Sequence, residues 1–165
     1  MTKIKLGDDT VNTNGMLPNI GSRMPDATLV GLDLKEVKLK SFAGKNIILN
    51  IFPSVDTSVC ATSVRQFNQK AASQPDTVVL CISKDLPFAL KRFCGAEGID
   101  KVISVSDFRN QGFSSAYGVV MVDGALEGLF ARAVVVVGKD GLVKHTELVS
   151  NILHEPDYDK AISAI

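Results

Sequence analysis

The longest apolar runs in this chain are strand-sized, and they alternate with stretches of helical spacing. Ile47-Ile48-Leu49-Asn50-Ile51-Phe52 is almost continuously apolar, as expected of a parallel strand buried on both faces. Pro53 to Ser58 follows as a loop of turn and N-cap residues. Beyond it Cys60, Val64, Phe67 and Ala71 recur at i, i+4, i+7 and i+11, which predicts a helix. Thr77 to Ile82 is a second buried strand, so these elements form a βαβ unit, right-handed by the general rule. Pro87 opens another helix with Leu86, Leu90 and Phe93 on one face, and Gly95 and Gly98 bring it to a close. Val102 to Val105 predicts a short strand and Ala133 to Val137 another. Asp140-Gly141 turns the chain into Leu142 to Val149, and Pro156 starts a short C-terminal helix.

Ahead of this core, Ile4 and Leu6 alternate with lysines, Gly7-Asp8-Asp9 turns, and Thr10 to Thr13 returns, which predicts a hairpin. Ala27 to Val30 and Val37 to Leu39 predict a further strand pair. A βαβ half followed by a ββα half is an α/β arrangement on the thioredoxin-like plan. It has a central mixed sheet flanked by helices, an N-terminal β-hairpin and a helical insertion. A length of 165 residues fits one domain spanning 1–165.

Composition narrows the function mainly by exclusion. Lys plus Arg and Asp plus Glu both total 18, so nothing favours nucleic acid or an anionic membrane as a partner. No apolar run approaches the roughly 20 residues of a membrane span. The N-terminus meets acids at once and lacks the apolar core of about 7–15 residues that a secretory signal needs, so a cytoplasmic location is expected. The three cysteines, Cys60, Cys81 and Cys94, form no CxxC pair. His145 and His154 stand far from them in sequence, in contexts that predict exposure. Neither a zinc site nor another cofactor is expected. In a reducing compartment such cysteines are core residues or redox-active thiols.

Cys60 falls in the first turn of its predicted helix, directly after a central strand. The unpaired N–H groups and partial positive charge of a helix N-terminus favour a thiolate over a thiol. Pro53-Ser54-Val55-Asp56-Thr57-Ser58-Val59-Cys60 matches Pro-x-x-x-Thr-x-x-Cys, the active-site motif of the peroxiredoxins. Over essentially its whole length the chain resembles the bacterial thiol peroxidases, the atypical two-cysteine group of that family. Val79-Leu80-Cys81-Ile82-Ser83, Arg92-Phe93-Cys94-Gly95-Ala96-Glu97-Gly98 and Glu155-Pro156-Asp157-Tyr158-Asp159 carry the likeness together with the motif.

The resemblance implies a cofactor-free hydroperoxide reductase. Cys60 would attack the peroxide, with Thr57 offering its hydroxyl and Pro53 walling the pocket. Arg132, at the entrance to a buried strand, would stand against the sulfur and favour its thiolate. Cys94 would resolve the sulfenic acid on Cys60 as a disulfide within one chain, with thioredoxin as reductant. A homodimer is implied as well. Because two helices are expected to hold these thiols farther apart than the roughly 7 Å between Cα atoms that a disulfide allows, both helix starts should unwind during turnover. Cys81 is expected to be core filler. Phe42, Phe88 and Phe130 are candidates for shaping the substrate pocket. Two rivals are a cysteine hydrolase, for which Cys60 needs a histidine base, and a non-enzymatic thioredoxin-fold binding or chaperone module.

Overall fold

The computed structural model describes residues 1–71 and 73–165. Strand β5 (Asn46–Ile51) lies in the interior of the sheet and is apolar on both faces. Ile47, Leu49 and Ile51 enter one core cluster with Leu80, Phe130 and Val135, while Ile48 enters the other with Val64 and Phe67. β6 (Thr77–Ser83) pairs parallel to β5 on one side, and β8 (Ala133–Val137) pairs antiparallel on the other. β8 repeats the alternation, with Ala133, Val135 and Val137 in the first cluster and Val134 and Val136 in the second. Each of these large aliphatic side chains contributes about 1.5–3 kcal/mol when fully buried.

The full sheet has seven strands, in the order β4 (Glu36–Lys38), β3 (Thr28–Gly31), β7 (Ile103–Gln111), β6, β5, β8 and β9 (Val143–Leu148). Helices α1 (Ser58–Lys70), α2 (Pro87–Glu97) and α4 (Tyr158–Ser163) cover one face with Val64, Phe67, Leu90 and Ala161. The other face is closed by α3 (Phe113–Tyr117), where Phe113 stacks on Tyr117 at 4.3 Å, and by Leu39 of a 3-10 turn (Leu39–Phe42). The expected α/β plan is therefore present, with the expected mixed central sheet and N-terminal hairpin. β1 (Lys3–Leu6) and β2 (Asp9–Asn12) pair in the register Ile4↔Val11, and both residues pack against Met121, Ala131 and Ile152.

Several boundaries depart from the pattern. β7 runs well beyond Val105, through a polar stretch whose last four residues are exposed. Backbone pairing holds it there, Thr28 lying opposite Gln111 across a register shift. Gly95 sits inside α2 and does not end it; Gly98 does, at φ +63 in the left-handed region that only glycine adopts without strain. His145 is half-buried on β9, with Nε2 out of solvent and unpaired among the described residues, against the expected exposure. Among the described residues no helix is long and apolar enough to cross a membrane.

Gly118 caps α3 at φ +62, and a Cβ placed there would lie 2.4 Å from the backbone nitrogen of Met16. Gly118→Ala combines left-handed strain, about 1–3 kcal/mol, with a backbone clash that no rotamer relieves. Its urea midpoint should fall well below that of Gly44→Ala, where φ is also positive and nothing lies within 4 Å. Equal midpoints would show that the Met16 loop yields freely.

Candidate active site

β5 delivers the chain to Phe52 and Pro53, and the next residues turn sharply into α1. Thr57 is the N-cap residue, with φ −104 and ψ 144, and Cys60 is the third residue of the helix. Its side chain lies on the apolar face with Val64 and Phe67, as the spacing predicts, and is fully buried. A buried sulfur on such a helix would be inert in purely apolar surroundings. Arg132 changes that. It stands immediately before β8, the antiparallel neighbour of β5, and is 2% exposed. Nη1 donates to Cys60 Sγ at 3.3 Å and Nε donates to the Ile152 carbonyl at 2.9 Å. A fixed guanidinium at this distance and the partial positive charge of a helix N-terminus both face the sulfur.

Sequence pattern offers no sign of what holds Arg132 in place. Ile152 N donates to the Lys5 carbonyl at 2.9 Å and Gly7 N donates to Asn151 Oδ1 at 3.2 Å, so the N-terminal hairpin braces the segment that fixes the guanidinium. The same hairpin supplies Leu6 to a cavity of about 100 Å³ beside the pair. Pro53, Thr57 and Arg132 line this cavity together with Leu126 and Leu153. Pro53 forms part of the wall of this cavity. Of the aromatic residues proposed to shape it, Phe130 is in the core, Phe88 is exposed beside Leu86 and Arg92, and Phe42 packs at the margin of the core; the leucines form the walls instead. Thr57 is exposed at the rim, and its hydroxyl donates to the Ser54 carbonyl at 3.0 Å and not to the sulfur.

The two other cysteines differ sharply from Cys60. Cys81 lies in the middle of β6, fully buried, and burial pushes its thiol up to about 12. A 3.6 Å contact from Asn50 Nδ2 opposes the shift and the nearness of Cys94 adds to it. Cys94, in α2, is half-buried, with Sγ 3.3 Å from Ser104 Oγ. All three sulfurs are free, so Cys60 and Cys94 are separate thiols on separate helices. Asn50 Nδ2 also donates to Ser63 Oγ at 3.2 Å, which in turn donates to the Cys60 carbonyl at 2.8 Å. Among the described residues, no three His, Cys, Asp or Glu side chains gather as metal ligands would.

This arrangement can present a desolvated sulfur anion to a small molecule and supply hydrogen bonds to an oxygen that gains charge. It cannot assist by accepting a proton, since arginine stays protonated and has no acceptor. His154 lies in a neighbouring surface depression with Ser58 and Thr62 and makes no hydrogen bond to Cys60.

Several known proteins resemble this chain in sequence and in shape. Residues 19–162 match the Redoxin family model. The thiol peroxidase of Mycobacterium tuberculosis is 53% identical over 165 residues, covering 100% of this chain and 99% of that protein. The thiol peroxidase of Corynebacterium glutamicum is 52% identical over the same span. A peroxiredoxin-like protein from Aquifex aeolicus superimposes with a TM-score of 0.93 at 36% identity, covering 99% of this chain and 95% of that one. A thiol peroxidase from Chromobacterium violaceum, at 23% identity and a TM-score of 0.89, shares the fold.

Alkylation of the folded protein separates the cysteines. Arg132→Met removes the cation beside Cys60, so its reaction with iodoacetamide at neutral pH should slow about tenfold or more. An unchanged rate would mean that the helix end alone holds the charge. Cys81 should resist the reagent even in mildly alkaline solution and react once urea exposes it, each site being followed by peptide mapping.

Proposed function

We infer the chemistry of the site from the premise that this chain belongs to the redoxin family, and within it to the thiol peroxidases of the peroxiredoxin group. It is a thiol-dependent peroxidase that reduces hydroperoxides. Cys60 is the attacking sulfur, and the observation that carries this assignment is the 3.3 Å contact from the buried Arg132 guanidinium. The thiolate attacks one peroxide oxygen along the O–O axis and the O–O bond breaks. Sulfur is oxidised to sulfenic acid, and the departing alkoxide or hydroxide takes a proton to leave as alcohol or water. Charge gathers on the leaving oxygen, where Arg132 and the Thr57 hydroxyl, turning from Ser54, stabilise it in a pocket that excludes bulk water. Pro53 keeps the pocket wall rigid and contributes no N–H of its own.

Cys94 completes the cycle in this proposal. Its thiolate attacks the sulfenic sulfur, the hydroxyl leaves as water, and a Cys60–Cys94 disulfide forms within the chain. The two thiols hold different partners, Arg132 and Ser104, so both must leave them for the bond to form. A dithiol reductant of the thioredoxin type then restores both thiols. A cytoplasmic homodimer fits the likeness to the family and belongs to the same proposal. A cysteine hydrolase fits poorly, because among the described residues the side chain bonded to the Cys60 sulfur is an arginine, which cannot act as its base.

The test is peroxide reduction coupled to thioredoxin, thioredoxin reductase and NADPH. Cys60→Ser should abolish turnover, while Cys81→Ser should leave it near wild type. Cys94→Ser should consume about one peroxide per chain, stall, and pass to sulfinic acid as more is added. Peptide mapping of oxidised wild type should show Cys60 bridged to Cys94 within one chain. Full activity in Cys60→Ser would sink the assignment of the nucleophile, and a bridge to Cys81 or to a second chain would sink that of Cys94.

A further inference from the structure

The loop between β5 and α1 is fastened to the segment that opens the Cys94 helix, and one carboxylate makes the fastening. Asp85, between β6 and α2, accepts from Ser54 Oγ at 2.7 Å through Oδ1. Its Oδ2 accepts from Val55 N at 2.9 Å and from Ser83 Oγ at 2.6 Å. The Asp85 carbonyl accepts from Ser106 Oγ on β7, so the acid is itself anchored to the sheet. Ser54 passes the constraint on. Its carbonyl accepts from both the amide and the hydroxyl of Thr57, the N-cap residue of α1, and its Oγ accepts from Asp56 N. Asp85 therefore reaches the first turn of the Cys60 helix through Ser54 and Thr57, and holds the loop directly at Val55. A second link joins the same two segments, from Arg92 on α2 to Asp56 at 3.1 Å, but both partners are mostly exposed and the pair is correspondingly weak.

We propose that Asp85 is a positioning residue of the peroxidase cycle, holding the Cys60 loop in its peroxide-attacking form and, by letting go, freeing it to meet Cys94. The inference rests on the assignment of Cys60 and Cys94 above. While the carboxylate holds Ser54 and Val55, the helix start keeps Cys60 against Arg132. After oxidation two reactions compete for the same sulfenic acid. The thiol of Cys94 converts it to a disulfide and releases water. A second hydroperoxide oxidises it to sulfinic acid and is itself reduced to alcohol or water. The first reaction needs the loop released, and the second needs it held. Asp85 therefore sets the ratio between them.

Asp85→Ala should move the two half-reactions in opposite directions, which a general loss of stability does not do. In a Cys94→Ser background the first peroxide step should slow by about 10- to 100-fold, because Cys60 is less often in place. With Cys94 present, disulfide formation after one equivalent of peroxide should quicken by about fivefold or more, since two hydrogen bonds to the loop are lost and each is worth about fivefold net. The sulfinic acid yield at excess peroxide should fall accordingly. Asp85→Asn can keep the bonds from Val55 and Ser83 and donate to Ser54 Oγ, so it should restore most of both rates. If Asp85→Ala does not fold, Ser54→Ala cuts one of the two bonds from the loop side, leaving that of Val55, and should shift both rates in the same opposite directions by less. Two unchanged rates, or two rates that fall together, would overturn the proposal. If oxidised wild type forms no Cys60–Cys94 bridge, the assignment of Cys94 fails instead. The positioning role is then decided by the peroxide step alone, slowed by Asp85→Ala and restored by Asp85→Asn, or not.

Discussion

A guanidinium that is 2% exposed has to be compensated by its neighbours, and much of this structure supplies that compensation at one sulfur. Removing one member of a buried charge pair typically costs about 3–5 kcal/mol, because the survivor is left without a partner. Arg132 meets the requirement with the Ile152 carbonyl and Cys60 Sγ. The strand order makes the encounter possible. β8 lies antiparallel beside β5, so the start of one strand and the end of the other meet at the same edge of the sheet. Ile51 is paired with Ala133, which puts Arg132 beside the loop that leads to Cys60. The N-terminal hairpin, outside the main sheet, then steadies Ile152 through the Lys5 carbonyl.

The same side chain stands in three different environments. Cys60 has a cation and a helix start. Cys81 has a strand interior that holds its thiol at about 12, which suits packing and not reactivity. Cys94 is half-buried against a serine hydroxyl, on a helix whose apolar anchorage is modest: Pro87 and Leu90 are its fully buried residues. A helix held by so few buried groups opens at a lower free energy than the central strands, whose residues are buried on both faces. The Cys60 helix is anchored more deeply, by Cys60, Val64 and Phe67, and Phe67 meets Tyr158 of α4 edge-on at 5.1 Å.

The residues that carry the inferred chemistry were readable in the chain for a simple reason: the catalytic loop is local. Pro53, Thr57 and Cys60 lie within eight consecutive residues, between a strand and a helix that periodicity alone predicts. The α/β class and the βαβ core follow from the nearly continuous apolar runs Ile47 to Phe52, Thr77 to Ile82 and Ala133 to Val137, since burial on both faces leaves a strand few polar positions. The far end of β7 is not legible for the converse reason. Beyond Asp107 its residues are exposed and, apart from Phe108, polar, and pairing with a strand more than seventy residues earlier keeps them extended.

By itself, then, the sequence determined which local segments form and where a reactive thiol would stand, because both depend on neighbours a few residues away. Family likeness added Arg132 and Cys94, which no local rule singles out. Only the tertiary structure decided what surrounds Cys60: the guanidinium from the opposite strand, the hairpin that braces it through Ile152, the leucines of the pocket and the Asp85 carboxylate beneath the loop. These groups come from parts of the chain separated by tens of residues. Their distances are set by strand order and register, which hydrophobic periodicity does not encode.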